Sequence, residues 1–98
     1  MELKQFVGKV VQSTISKRRF VLTEITATII SARDEKPNSR GTYDYYSWDT
    51  INSNPFSLGN LVFEEASLTE EFIKAFDTYC NSAEGRWERY QYFYFAWD

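Results

Sequence analysis

The side chains best suited to binding another molecule lie in one short segment near the middle of the chain. Residues 42–50 read Thr42-Tyr43-Asp44-Tyr45-Tyr46-Ser47-Trp48-Asp49-Thr50. Tyrosine and tryptophan bury a large area at low rotamer cost and keep a polar tip, so they are frequent at the centre of protein interfaces. In a β-strand, Tyr43 and Tyr45 share one face while Tyr46 and Trp48 share the other. Since both faces cannot be core in a domain this small, we expect at least one aromatic pair to be partly exposed.

From this segment we predict a surface that contacts another protein. The predicted contact residues are Tyr43, Asp44, Tyr45, Tyr46, Trp48 and Asp49, with Glu64 and Glu65 alongside if their strands pair. Carboxylates among the rings, and the acidic residues that follow, suit a partner with a basic surface. The ordinary alternative is that the rings form cross-strand pairs within the protein's own sheet.

A run of three basic residues opens a second possibility. Lys17, Arg18 and Arg19 stand together in a polar stretch that we interpret as the tip of a hairpin. Basic side chains beside sheet aromatics are typical of surfaces that bind single-stranded nucleic acid. Asp44 and Asp49 among the rings would repel phosphate, and a solvated hairpin tip explains the basic run equally well. Nucleic-acid binding is therefore the alternative prediction.

The composition argues against most catalytic chemistry. The chain has no histidine and one cysteine, Cys80, so imidazole acid–base catalysis, a Cys–His pair and thiolate or imidazole zinc sites are excluded. Glu64 and Glu65 would point to opposite faces of a strand, and Glu70 and Glu71 suit the first turn of a helix. Four scattered glycines form no phosphate-binding loop. We predict that the protein is not an enzyme and binds no cofactor and no metal.

Length and charge set further expectations. Ninety-eight residues allow one domain, covering residues 1–98, with a small core. The net charge is −3, but residues 1–33 carry six basic and two acidic groups, whereas residues 34–98 carry five basic and twelve acidic ones. No signal peptide, lipidation motif or membrane span is visible, so we expect a cytoplasmic protein that does not bind membranes. The oligomeric state is left open between monomer and homodimer.

The apolar pattern predicts five strands and one helix. The strands are predicted over residues 3–15, 20–32, 42–51, 58–65 and 86–97, with turns such as Asn52–Pro55 between them. In the second of these, Val21, Ile25, Ala27 and Ile29 fall on one face. The last is aromatic on both faces, which is typical of a covered strand.

The helix is predicted from an apolar stripe at spacings of three and four. Its members are Leu68, Phe72, Ile73, Phe76, Tyr79 and Cys80. Ser67 and Glu70 have the spacing of a capping box at its start, and Gly85 is placed to end it.

The predicted fold is therefore α+β, a curved antiparallel sheet of about five strands in the element order β-β-β-β-α-β. The helix is expected to pack on one face, against the last strand and Val21, Ile25 and Ile29. For function, we expect a small inhibitor or antagonist that covers a surface of another protein, as toxin-immunity proteins and phage proteins directed against bacterial defence do. A third hypothesis is a homodimer formed by edge-to-edge pairing of the last strand with that of a second copy.

Overall fold

The computed structural model describes residues 2–51 and 60–96, with side chains described as far as residue 94. Its elements are a 3-10 helix (Leu3–Phe6), β1 (Val10–Ser13), β2 (Arg19–Ile25), β3 (Ile29–Asp34), β4 (Tyr45–Asp49), β5 (Leu61–Phe63), α1 (Ser67–Asn81) and α2 (Ala83–Ala96). The strands form one antiparallel sheet in the order β4-β3-β2-β1-β5. The predicted α+β class and five-stranded antiparallel sheet are confirmed.

The predicted order of the elements is wrong in three places. The strand predicted over residues 3–15 begins as the 3-10 helix and is a strand only over Val10–Ser13. The strand predicted over residues 20–32 is two strands, β2 and β3, because the Thr26 hydroxyl accepts the backbone N–H groups of Thr28 and Ile29 and turns the chain. The strand predicted over residues 86–97 is α2 as far as Ala96. Within the described ranges the order is therefore β-β-β-β-β-α-α; the turn Asn52–Pro55, Leu58 and Trp97 lie outside them.

The core lies on one face of the sheet, and it is not the face predicted for β2. Phe20 and Leu22 are buried, whereas Val21 is half-buried and Ile29 is exposed. The register shifts between Leu22 and Glu24, a β-bulge that brings Ile25 onto the same face as Leu22. The predicted packing of the helix against Val21 and Ile29 is therefore wrong, while Ile25 is in the core as predicted.

Helix α1 covers the β5 side of that face through aromatic contacts. The Phe72 ring lies 5.2 Å from the Phe6 ring and 5.2 Å from the Phe63 ring, centroid to centroid. Phe72 and Phe76 are both buried, as the helical periodicity predicts. The predicted capping box does not form, because α1 begins at Ser67 itself with Ala66 as its N-cap and no side-chain cap.

Helix α2 follows α1 after a single extended residue, Ser82. The Ser82 hydroxyl donates to the Tyr79 carbonyl oxygen and accepts the Gly85 backbone N–H, so it joins the end of α1 to the start of α2. Gly85 lies inside α2 rather than at the end of α1, and the prediction that it ends α1 is wrong. Neither helix, over the residues described, is long and apolar enough to cross a membrane.

Candidate functional site

Strand β4 divides the predicted contact residues between its two faces. Tyr45 points outward and is 68% exposed, whereas Trp48 points inward and is only 8% exposed. Tyr43 and Asp44 precede the strand and are also exposed, and Tyr46 and Asp49 are half-buried. The expectation that at least one aromatic pair is partly exposed fits this arrangement, in which the exposed pair is Tyr43 and Tyr45.

Tyr46 and Trp48 belong to the packed interior of the sheet. Their rings stack 6.2 Å apart, and each meets the Phe20 ring edge-on, at 5.6 and 5.5 Å. The Tyr46 hydroxyl also accepts a hydrogen bond from Arg18 at 2.6 Å and donates to Asp34 at 3.3 Å. These contacts make Tyr46 and Trp48 part of the protein's own structure, and we leave both out of any exposed contact surface.

Glu64 and Glu65 do not lie beside β4. They follow β5, which is at the opposite edge of the sheet. The Glu64 carboxylate instead pairs with Arg19 at 3.1 Å, and Arg19 also holds Glu35 through two hydrogen bonds. The predicted grouping of these two glutamates with the tyrosines is therefore wrong, because three strands separate β5 from β4.

The basic run at the β1–β2 turn is largely engaged within the chain. Arg18 pairs with Asp34 at 3.1 Å and its guanidinium lies over the Tyr46 ring at 4.9 Å. Hydrogen bonds to Glu35 and Glu64 raise the pKa of Arg19, and the same contact lowers the pKa of Glu35. Lys17 is exposed with a positive φ of 63°. Phosphate would therefore compete with carboxylates for both arginines, which disfavours nucleic-acid binding; that alternative stays a prediction.

Among the residues that the structure describes, the largest cluster of exposed aromatic rings lies on α2, where the sequence predicts a covered strand. Trp87, Tyr90 and Tyr94 are 59%, 56% and 57% exposed. Their rings stack in series, with centroids 5.6 Å apart from Trp87 to Tyr90 and 5.9 Å apart from Tyr90 to Tyr94. Phe93, on the neighbouring side of α2, is also exposed. We call Trp87, Tyr90 and Tyr94 the aromatic ladder.

Polar contacts on the other side of α2 fix the direction in which the ladder points. The Glu88 carboxylate accepts the Ala27 backbone N–H at 3.0 Å, which ties α2 to the turn between β2 and β3. The Tyr92 hydroxyl hydrogen-bonds the Asp49 carboxylate at the end of β4. Because these residues anchor the inner side of the helix, the ladder is held on the side that faces solvent.

Cys80 is placed for structure rather than for nucleophilic chemistry. Arg89 donates to the Cys80 sulfur at 3.1 Å and its guanidinium lies over the Phe76 ring at 5.9 Å. Burial raises the pKa of the Cys80 thiol, and the nearby arginine opposes this only in part. Across residues 2–51 and 60–96, no group of three histidine, cysteine, aspartate or glutamate residues could hold a metal ion.

A cavity of about 440 Å³ lies where the 3-10 helix meets the junction of α1 and α2. Tyr79 and Ser82, both half-buried, are among its polar lining residues. The Tyr79 hydroxyl hydrogen-bonds Glu88 at 3.5 Å, and the Ser82 hydroxyl bonds the backbone on both sides. These groups already have partners in the chain, so the cavity is a weaker candidate than the ladder.

Comparisons with protein-family models, with curated proteins and with solved structures found no match to this chain.

Proposed function

We propose that this protein works by binding, without catalysis, to a surface of another protein, and that the aromatic ladder of α2 is its principal contact. The observation that carries the proposal is the exposure of three stacked rings, each more than half accessible, on a helix that is anchored from behind. Large aromatic side chains kept in water are unfavourable in a free protein and are typical of the centre of interfaces.

The spacing of the ladder suits a helix that lies in a groove. Trp87, Tyr90 and Tyr94 stand at positions i, i+3 and i+7, the pattern by which one face of a helix enters an apolar groove on a partner. Covering the exposed part of each ring would contribute on the order of 2 kcal/mol. Three such rings, already stacked and held by the fold, lose little rotamer freedom on binding. The ladder is therefore suited to act as a preformed anchor.

The charges around the ladder favour a partner whose groove has a basic rim. Residues 64–96 include seven acidic and three basic side chains. One of the three basic groups, Arg89, is turned inward onto Cys80. Glu84, one turn before Trp87, is exposed at the start of α2. Complementary charge of this kind raises the association rate and selects among partners more than it adds affinity. An inhibitor or antagonist that covers a functional surface is the role that this combination fits best.

Exposed Tyr43, Asp44 and Tyr45 form a second, smaller surface, which we call the tyrosine rim. Arg33 lies over the Tyr43 ring at 4.2 Å. The tyrosine rim lies at the start of β4, whereas Tyr92 of α2 contacts Asp49 at the end of β4. The rim and the aromatic ladder can therefore be altered separately. A test of the proposal can therefore distinguish them.

The test is affinity capture from cells that express the protein, with three versions of the chain as bait. The versions are the wild type, a ladder variant (Trp87→Ala with Tyr90→Ala) and a rim variant (Tyr43→Ser with Tyr45→Ser). The proposal predicts one protein that the wild type and the rim variant retain equally. The ladder variant should retain it on the order of tenfold less, or not at all, as truncation of interface anchors does.

Circular dichroism must show that all three baits are folded. The captured protein is then purified and titrated into each version, so that affinity is measured directly. Equal affinity for the wild type and the ladder variant would overturn the proposal, and a loss confined to the rim variant would move the contact to Tyr43 and Tyr45.

A further inference from the structure

The edge strand β4 presents hydrogen-bonding groups that no other described part of the chain uses. In its register with β3, the backbone N–H of Asp34 donates to the Asp44 carbonyl oxygen, and the backbone N–H of Thr50 donates to the Thr28 carbonyl oxygen. Because hydrogen-bonded pairs alternate along an antiparallel ladder, Tyr46 and Trp48 turn their backbone groups toward β3. The N–H and C=O groups of Tyr45 and Ser47 therefore point away from the sheet.

The opposite edge of the sheet, at β5, is protected against pairing with another strand, whereas the edge at β4 is open. Strand β5 has only three residues, and the outward N–H of Phe63 donates to the Thr69 hydroxyl at 3.1 Å. Strand β4 has five residues and contains no proline, no lysine and no register shift against β3. Proline, lysine and bulges are the usual means by which proteins prevent an edge from pairing.

We propose that two copies of this chain pair through their β4 strands, antiparallel and edge to edge. Around a twofold axis beside Tyr46, Tyr45 of one copy faces Ser47 of the other, and the reverse pair follows by symmetry. These two pairs exchange four backbone hydrogen bonds and use the outward groups of Tyr45 and Ser47 alone. The two five-stranded sheets become one continuous sheet of ten strands.

The side chains fit this twofold register. It sets Tyr43 of one copy opposite Asp49 of the other, and Asp44 opposite Trp48, so no two carboxylates face each other. Arg33, whose guanidinium lies over Tyr43, is on the same side of the extended sheet as Asp49 of the second copy. Opposite charges on neighbouring strands attract, so Arg33 over Tyr43 and the carboxylate of Asp49 from the second copy form a favourable group. Like charges opposite each other would be destabilising. This complementarity of β4 with itself is why a second copy, rather than an unrelated strand, is the proposed occupant.

Sedimentation equilibrium over a wide range of protein concentrations tests the pairing. The wild type is expected to rise from a mass of 11.6 kDa to twice that value as concentration increases. Ser47→Pro removes an outward N–H that β3 does not use, so it should keep the mass at 11.6 kDa without breaking the sheet. Ser47→Ala is the matched control, because it loses the same hydroxyl contact with Ser31 but keeps the N–H, and it should associate as the wild type does.

Hydrogen exchange keeps the proposal testable if Ser47→Pro fails to fold. In the wild type, the amides of Tyr45 and Ser47 should become slower to exchange as concentration rises, while the amides of the exposed loop residues Lys36 and Ser39 stay fast. A single 11.6 kDa species at every concentration would overturn the proposal. So would association that persists in a folded Ser47→Pro variant, or that is lost with Trp87→Ala, since the contact would then be elsewhere.

Discussion

A Cβ atom placed on Gly85 would lie 1.9 Å from the carbonyl oxygen of Tyr79. No side-chain carbon approaches a backbone oxygen so closely, and a change of rotamer cannot relieve the contact, because the backbone fixes the position of Cβ. Gly85 therefore lets the first turn of α2 pass directly over the last turn of α1. This close approach sets the direction of α2 and, with it, the position of the aromatic ladder.

Gly85→Ala should therefore destabilise the fold although alanine is the better helix former. We expect a loss of about 1–3 kcal/mol in the free energy of unfolding, the usual cost of forcing extra volume into a packed site. Urea denaturation measures it. Gln91→Ala, an exposed change in the same helix, serves as the control and should leave stability nearly unchanged. Equal stability of Gly85→Ala and the wild type would show that the two helices are free to move apart.

Phe72→Ala should be the most damaging single change in α1. The ring is buried between Phe6 and Phe63 and also neighbours Phe76, so its removal leaves a cavity that three other rings line. We expect a loss of about 3–5 kcal/mol in unfolding free energy, a large part of the stability of a domain this size. Ile73→Ala, an exposed position on the same helix, should cost much less in the same denaturation experiment.

The environment of Tyr79 predicts a loss of stability in alkaline solution. Burial, with Glu88 and Glu84 close by, raises the pKa of Tyr79 from 10.0 to about 12. Between these two values the unfolded chain releases a proton that the folded chain keeps, so ionisation favours unfolding. The stabilising contribution is complete below pH 10.0 and is lost as the pH rises toward about 12.

Urea denaturation at a series of alkaline pH values measures this effect. Tyr79→Phe has no phenol to ionise at this position, so its stability should fall less steeply with pH than that of the wild type. Parallel declines in the two proteins would place the alkaline sensitivity at another group.

Because Arg18 and Arg19 are paired with carboxylates, we expect the protein to bind single-stranded nucleic acid weakly. Replacing Lys17, Arg18 and Arg19 with alanine should lower thermal stability, because the contacts with Asp34, Glu35 and Glu64 are lost. Fluorescence anisotropy with a labelled single strand should detect little affinity even at low salt. Tight binding by the wild type that falls steeply with salt and disappears in the triple variant would restore the alternative function.

The sequence predicted an element correctly where its apolar residues follow a single periodicity. The spacing of Phe72 and Phe76 predicted both α1 and its buried face, because polar residues alternate with apolar ones at a helical period. In residues 86–94 aromatic residues occupy every side, so the pattern separates strand from helix poorly, and the preference of aromatic residues for strands decided the prediction. Two helical signals were present: the spacing of Trp87, Tyr90 and Tyr94, and Ser82, whose hydroxyl accepts the Gly85 N–H at the start of α2.

The exposed and buried rings of β4 show a second feature that the sequence predicts only in part. Alternation correctly separated Tyr45 from Tyr46 and Trp48, but alternation does not say which side meets the core. That choice depends on the bulge between Leu22 and Glu24 and on the pairing of β4 with β3, which are contacts distant in sequence. The placement of Glu64 at the far edge likewise depends on strand order, which no local pattern encodes.

Site-specific photo-crosslinking in living cells shows whether the aromatic ladder contacts another protein. A benzophenone amino acid is introduced in place of Tyr90, in the middle of the ladder, and separately in place of Ile73 on the exposed side of α1. We expect one discrete adduct with a second protein from position 90, none from position 73, and loss of the adduct when Trp87→Ala is added. An adduct that forms from positions 43 or 45 but never from position 90 would contradict this expectation.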